Sequence, residues 1–83
     1  MEYPPAALAR ILRKKYYVAR HADWLIVMDK DCKEYLATVY VYPRYREVVV
    51  VDRDSVYDDV VKALKELNLD FEVSRREPQI PSF

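Results

Sequence analysis

Two strand-length runs in this sequence are apolar at every position, and neither of them alternates with polar residues. They are Trp24–Met28 and Val48–Val51. A strand that is apolar on both sides must be covered on both sides. Because the chain offers only two helix-like segments, its helices can cover one face of a sheet well, and the other face needs a partner. The simplest partner is a second copy of the chain.

The overall composition also favours self-association. Hydrophobic residues make up 52% of only 83 positions, which is more core material than a small monomer usually carries. We therefore expect a homo-oligomer, most simply a dimer, in which the second face of the sheet is buried. The predicted dimer interface consists of Trp24, Ile26, Val48 and Val50.

Several residue types limit what the chain can be. Glycine is absent, which excludes the glycine-rich phosphate loops of nucleotide-binding proteins. Cys32 is the only cysteine, so no internal disulfide can form, and this fits a reducing cytoplasm. No apolar run approaches the roughly 18 residues of a membrane span, and the N-terminus lacks the form of a signal peptide. We predict a cytoplasmic protein, and the 34% charged residues with few amides favour a thermophilic source.

Local patterns predict the helices and strands. Pro4 and Pro5 suit the first turn of a helix, and Pro43 should end a strand. The stretch 15–20 could belong to the first helix or begin a strand. The predicted elements are a helix over about residues 5–18, strands over 24–29, 35–42 and 47–52, a second helix that Asp54 or Ser55 caps and Asn68 ends, and a short strand over 71–74.

These elements predict an α+β domain with the order α-β-β-β-α-β. Its sheet has four strands and is largely antiparallel, two helices lie on one face, and self-association buries the other. We assign residues 1–76 to this single domain and residues 77–83 to an extended tail. Ile80 and Phe83 in the tail either pack on the fold or on a dimer mate, or dock on a protein partner.

Aromatic and basic residues alternate near one predicted edge of the sheet. Tyrosine rings can stack on bases for about 1–3 kcal/mol each, while arginine and lysine hold phosphates. We therefore predict a module that binds single-stranded DNA or RNA along this edge of a homodimer. The predicted phosphate contacts are Lys14, Lys15, Arg20, Arg44 and Arg46, and the predicted stacking residues are Tyr40, Tyr42 and Tyr45.

Two other functions remain open at this stage. The first is a small oligomerisation or protein-interaction subunit with no role in nucleic-acid binding. The second is a Mg²⁺-dependent phosphoryl-transfer enzyme that uses carboxylates at strand ends. These carboxylates belong to Asp29, Asp31, Asp52 and Asp54. Asp52 and Asp54 also suit a helix cap, so we predict no catalytic residues, no metal site, no enzyme activity and no cofactor.

Overall fold

The computed structural model describes residues 2–52 and 56–77. They form a small α+β domain with two α-helices, five strands and a short 3₁₀ turn. In chain order these are α1 (Pro4–Leu12), β1 (Tyr17–His21), β2 (Trp24–Met28), β3 (Tyr35–Tyr42), the 3₁₀ turn (Pro43–Tyr45), β4 (Glu47–Asp52), α2 (Val56–Glu66) and β5 (Glu72–Arg76). The predicted helix caps at Asp54 and Ser55, and the predicted tail beyond Glu77, lie outside the described residues.

The first helix is shorter than predicted, and the sheet has five strands instead of four. Helix α1 ends at Leu12, and the chain then enters β1 at Tyr17. Tyr16, Tyr17 and Val18 favour extended structure because aromatic and β-branched side chains fit a pleated sheet. This preference outweighs the helical spacing of the apolar residues, so the segment 15–20 supplies a strand.

The sheet is mixed. Its strands lie in the order β1-β2-β3-β4-β5, and the pairs β1–β2, β2–β3 and β3–β4 are antiparallel. Strand β5 is parallel to β4, and α2 connects the two. A parallel pair requires a crossover of this kind, because a tight turn can only join antiparallel strands.

Both helices pack on the same face of the sheet, which we call the covered face. Strand β4 shows the alternation clearly, since Val48 and Val50 are fully buried while Val49 and Val51 are only half-buried. Val48 and Val50, which we expected in the dimer interface, are therefore core residues beneath the helices. They join a continuous apolar core that includes Leu8, Leu12, Leu25, Val27, Val39, Val41, Val60 and Leu64.

A β-bulge changes which side chains face outward at the start of β3. Val27 pairs with Ala37 while Met28 pairs with Tyr35, so the register shifts by one residue. As a result, Leu36 packs against the core. Tyr35 is exposed, and its hydroxyl is hydrogen-bonded to Thr38. The bulge thus adds an aromatic ring to the uncovered side of the sheet.

The chain builds left-handed turns without glycine. Ala22, Cys32, Arg46 and Asn68 all have positive φ, between 51° and 57°. Asn68 was predicted to end α2 in this conformation, and the structure confirms it. Ala22 is less expected, because a β-carbon in this region costs roughly 1–2 kcal/mol. The residues 21–23 indicate a connection before β2, but the left-handed conformation of Ala22 does not follow from its residue type.

One buried carboxylate ties three elements together. Asp52 has no solvent exposure; its Oδ1 accepts a hydrogen bond of 2.8 Å from Arg75 Nε on β5. Its Oδ2 accepts a bond of 2.8 Å from the backbone N–H of Tyr57, in the first turn of α2. The hydrogen bond to Asp52 raises the pKa of Arg75. Asp52 thus satisfies an N-terminal helix donor from the end of β4. In the described ranges, no helix is long and apolar enough to cross a membrane.

Candidate nucleic-acid interface

Among residues 2–52 and 56–77, no helix or loop covers the face of the sheet opposite the helices, and we call this side the open face. The alternation of each strand and the register between strands arrange the side chains of the open face in rows that cross the sheet. One row contains His21, Trp24, Tyr40, Val49 and Ser74, and the next contains Ala19, Ile26, Thr38, Val51 and Arg76.

Three rings of the first row touch one another. The ring centroids of His21 and Trp24 lie 4.7 Å apart with an interplanar angle of 22°. Those of Trp24 and Tyr40 are separated by 6.3 Å at 30°. Trp24 and Tyr40 keep 37% and 38% of their surface exposed, and Tyr42, two residues further along β3, keeps 42%. The open face therefore presents a cluster of rings that solvent still reaches.

The turn between β1 and β2 holds these rings in position. Ala22 and Asp23 connect the two strands, and the Asp23 carbonyl accepts a hydrogen bond of 2.9 Å from the backbone N–H of Val41. The Tyr3 hydroxyl donates a hydrogen bond to the Asp23 carboxylate, which raises the pKa of Tyr3. The segment before α1 is thereby joined to the turn that carries Trp24.

Basic side chains surround this end of the sheet, which we call the hairpin end. Arg44 and Arg46 lie in and just after the 3₁₀ turn that joins β3 to β4, and both are exposed. Within the described part of the chain, neither forms an ion pair. Arg20 lies at the same end and donates from Nη1 to the Ala22 carbonyl at 3.1 Å. Tyr45 keeps 68% of its surface exposed, the largest fraction among the large hydrophobic residues that the structure describes.

Acidic residues occupy the other side of the hairpin end. Glu47 lies opposite Tyr42 on β4, and Glu72 lies opposite Glu47 on β5. Both are exposed. The positive charge of the hairpin end therefore lies at Arg20 on β1 and at Arg44 and Arg46 around the 3₁₀ turn, whereas Glu47 and Glu72 make the outward side of β4 and β5 acidic.

Two of the predicted phosphate contacts lie elsewhere. Because α1 runs away from the hairpin end, Lys14 and Lys15 emerge at the opposite end of the sheet. Lys15 Nζ is 3.1 Å from Asp59 Oδ2, and Lys14 Nζ is 3.7 Å from Glu66 Oε1. Both acids belong to α2, so the basic segment near the N-terminus partly neutralises the acidic second helix. We therefore remove Lys14 and Lys15 from the candidate interface.

The Tyr16–Asp59 contact completes the junction of the two helices. The Tyr16 hydroxyl donates a hydrogen bond to Asp59. Partial burial on its own would raise the pKa of Asp59, but the hydrogen bonds from Tyr16 and Lys15 outweigh it and lower the pKa below 3.8. The same hydrogen bond to Asp59 raises the pKa of Lys15. This group of side chains joins the segment between α1 and β1 to helix α2.

The structure places two further residues near the rings. Trp24 and Ile26, two of the four predicted interface residues, lie on the open face, whereas the other two, Val48 and Val50, lie in the core. His21 was not among the predicted binding residues, yet its ring stacks on Trp24. If residues 17–21 form a strand, alternation places Tyr17, Ala19 and His21 on one side of it. This is the signal in the sequence that points to His21 on the open face.

The strand-end carboxylates do not gather into a metal centre in the described residues. Asp52 is bonded to Arg75 and Tyr57, and Asp29 Oδ1 accepts the backbone N–H of Lys33 at 2.8 Å. Asp54 lies outside the described ranges. Among the residues that are described, no three histidine, cysteine, aspartate or glutamate side chains are close enough to share a metal ion.

A pocket of about 200 Å³ adjoins the hairpin end below Arg46. Leu69 and Phe71 form its apolar lining, and Asn68 and Asp70 line the rest of it with Arg46. A cation and a carboxylate therefore share the same small opening.

We compared the chain with protein-family models, with curated proteins and with solved structures, and found no match in any of the three.

Proposed function

We propose that this protein binds single-stranded nucleic acid at the hairpin end of its open face. The observation that carries the proposal is the grouping of solvent-accessible rings beside guanidinium groups for which residues 2–52 and 56–77 supply no ion-pair partner. Trp24, Tyr40 and Tyr42 are accessible on one face, while Arg44 and Arg46 have no acidic partner among the described residues. Aromatic platforms and nearby cations are the two components that single-strand binding requires.

The rings are spaced for separate bases. Tyr40 and Tyr42 lie two residues apart on the same side of β3, a separation of about 6.8 Å along the strand. Each can therefore support its own base. A base inside a duplex is stacked on its neighbours and presents no free face to a side chain, so this surface favours unpaired strands.

The charge distribution suggests a direction for the bound strand. Arg44 and Arg46 are expected to contact phosphates, while Glu47 and Glu72 repel phosphates from the open face of β4 and β5. Arg20 is paired with Leu25, so its side chain leaves β1 on the covered side, and we do not expect it to contact a strand on the open face. The phosphate backbone would then follow the 3₁₀ turn, with the bases directed over Trp24, Tyr40 and Tyr42. Tyr45, at the tip, is placed to stack on a base that extends beyond the sheet.

A matched pair of tyrosine variants tests the stacking surface. We expect Tyr42→Ala to weaken binding of labelled single-stranded oligonucleotides by about 1–3 kcal/mol, or roughly 5- to 150-fold in Kd. Tyr17→Ala is the control, because Tyr17 is similarly exposed but lies at the opposite end of the open face. Filter binding gives both affinities. Equal losses in the two variants, or no retention of oligonucleotide by the unmodified protein at low salt, would reject the proposal.

The phosphate contacts are tested by the dependence of affinity on salt. Each phosphate contact that is lost should reduce the slope of log K against log salt by about 0.7 for a single strand. Arg44→Gln is expected to reduce it by this amount, while Lys14→Gln, which replaces a cation already paired with Glu66, should leave the slope unchanged. A Lys14→Gln effect as large as that of Arg44→Gln would contradict the assignment.

A second candidate function is self-association through the open face. Ile26, Met28, Val49 and Val51 are apolar and only half-buried there, and a second copy could cover them. Such a dimer would bury Tyr40 and exclude nucleic acid from it. Ile26→Lys separates the two functions: it should disrupt a face-to-face association of two open faces, and it should not abolish oligonucleotide binding.

A further inference from the structure

Strand β5 forms one edge of the sheet, and its outward backbone groups can be identified. The Glu72 N–H donates to the Arg46 carbonyl at 2.9 Å, and Glu72 is paired with Glu47 on β4. In a parallel ladder, alternate residues of a strand bond to the same neighbour. Residues 72, 74 and 76 therefore bond toward β4, and the N–H and C=O groups of Val73 and Arg75 point toward the free edge.

We propose that β5 pairs with β5 of a second copy, antiparallel, about a two-fold axis at Ser74. The five-strand sheets of the two copies then form one continuous ten-strand sheet. In this register, Val73 and the partner's Arg75 exchange both of their backbone hydrogen bonds. By symmetry, Arg75 exchanges the same two hydrogen bonds with the partner's Val73. All four outward N–H and C=O groups of each strand are then hydrogen-bonded.

The side chains of β5 complement one another in this register. A two-fold axis at Ser74 places Glu72 opposite the partner's Arg76 and, by symmetry, Arg76 opposite the partner's Glu72. These are pairs without direct backbone hydrogen bonds, in which side chains approach most closely. Neither Glu72 nor Arg76 forms an ion pair within the part of the chain that the structure describes. Edge strands often carry charges that repel a second strand, but here the two-fold brings opposite charges together.

The opposite edge of the sheet lacks this complementarity. Strand β1 contains Arg20 and His21 but no acidic residue, so antiparallel pairing of two β1 strands would gain no ion pair. The Val18 carbonyl already accepts two hydrogen bonds from Arg13, at 3.2 Å and 3.1 Å. Of the two edges, β5 is thus the one prepared for a second copy.

This pairing does not depend on the proposed nucleic-acid binding. It joins the sheets edge to edge and leaves Trp24 and Tyr40 accessible, because they lie on β2 and β3, and β4 separates them from the paired edge. Pairing through one edge is isologous and closes at two copies, so it produces a dimer rather than a filament.

Charge reversal at two positions tests both the interface and its register. We expect light scattering on a concentration series to show dimerisation of the unmodified protein, and Glu72→Arg and Arg76→Glu each to weaken it about tenfold or more. Mixing the two single variants should restore dimers, since every opposed pair then carries opposite charges. The double variant Glu72→Arg/Arg76→Glu should also dimerise on its own.

Two controls distinguish this geometry from others. Tyr40→Ala alters the open face and should leave edge dimerisation unchanged, and circular dichroism checks that each variant is folded. The proposal is overturned if the unmodified protein stays at 9.9 kDa at every concentration. It is also overturned if the mixed single variants fail to dimerise although both are folded, or if Tyr40→Ala dissociates the dimer. Because none of these measurements involves nucleic acid, their failure would leave the proposed function standing.

Discussion

The two faces of this sheet are built from the same five strands but carry different residues. The covered face presents Leu25, Val39 and Val50, which are fully buried beneath the helices. The open face presents Trp24 and Tyr40, of which more than a third remains exposed. Adjacent residues of a strand therefore serve opposite purposes, because one contributes to folding and the next is free to contact something else.

The comparison shows what an apolar run in a sequence does and does not mean. Val48 and Val50 contribute to stability, whereas Val49 and Val51 are exposed enough to contact a partner. Both sets look alike in the sequence. Only the packing of α1 and α2 decides which of them becomes core, so mutations in neighbouring positions can separate the two roles.

The largest difference is expected between Leu25 and Ile26, which are neighbours on opposite faces. Leu25→Ala removes a fully buried side chain and should lower the free energy of unfolding by about 2–5 kcal/mol. Ile26→Ala, on the half-buried open face, should cost less than about 1.5 kcal/mol. Urea denaturation measures both. Equal losses would mean that the open face is covered as completely as the other.

A smaller loss is expected at Asp52, where the covered side of β4 meets α2 and β5. Asp52→Ala removes the acceptor of two hydrogen bonds, one from Arg75 and one from the Tyr57 N–H. Because hydrogen bonds to charged groups contribute about 1.5–3 kcal/mol, we expect a loss of about 2 kcal/mol in urea denaturation. Asp29→Ala, at the exposed turn after β2, is the control and should cost clearly less.

The turn that presents the ring cluster should be improved by glycine. Ala22 has φ of 51°, which glycine adopts without the steric cost of a β-carbon. Ala22→Gly is therefore expected to raise the free energy of unfolding by up to about 1 kcal/mol. Asn68→Gly should gain less, since asparagine tolerates this conformation. A loss of stability in Ala22→Gly would indicate that the Ala22 methyl group makes a contact of its own.

The helix junction on the covered side is expected to give the smallest effect, and one that depends on pH. The pKa of Asp59 is lowered in the folded state, so its stabilising contribution is present above the unfolded value near 3.8. It is lost as the pH falls through the lower folded value. Acidification from neutral pH to below about 4 should therefore destabilise Asp59→Asn less than the unmodified protein. Parallel pH profiles of thermal unfolding would contradict this.

Parts of the fold could be predicted because their signals are local. Strand β3 alternates and is followed by Pro43, and both of its ends were predicted correctly. Asn68 ends α2 in the left-handed conformation, as expected. The sequence does not decide between helix and strand for the residues of β1, because they also continue the helical spacing of α1, and because alanine at position 22 is not a residue that favours the left-handed conformation of its turn.

The remaining differences depend on tertiary structure. In a continuous apolar run such as Val48–Val51, no polar residues mark which alternate positions face solvent. The residues that face the core therefore follow only from the register with β3. Lys14 and Lys15 looked like phosphate contacts because the N-terminal third of the sequence is basic. Their acidic partners, Asp59 and Glu66, lie more than forty residues away in the sequence, and α1–α2 packing brings them together.

Trp24 offers the most direct test of nucleic-acid binding at the open face, because it is the only tryptophan in the sequence and lies in the proposed site. Its fluorescence should be followed while a single-stranded oligonucleotide is added at low salt. We expect saturable quenching that disappears as salt is raised and that Tyr42→Ala shifts to higher oligonucleotide concentration. Unchanged Trp24 fluorescence at saturating oligonucleotide would contradict binding at the open face.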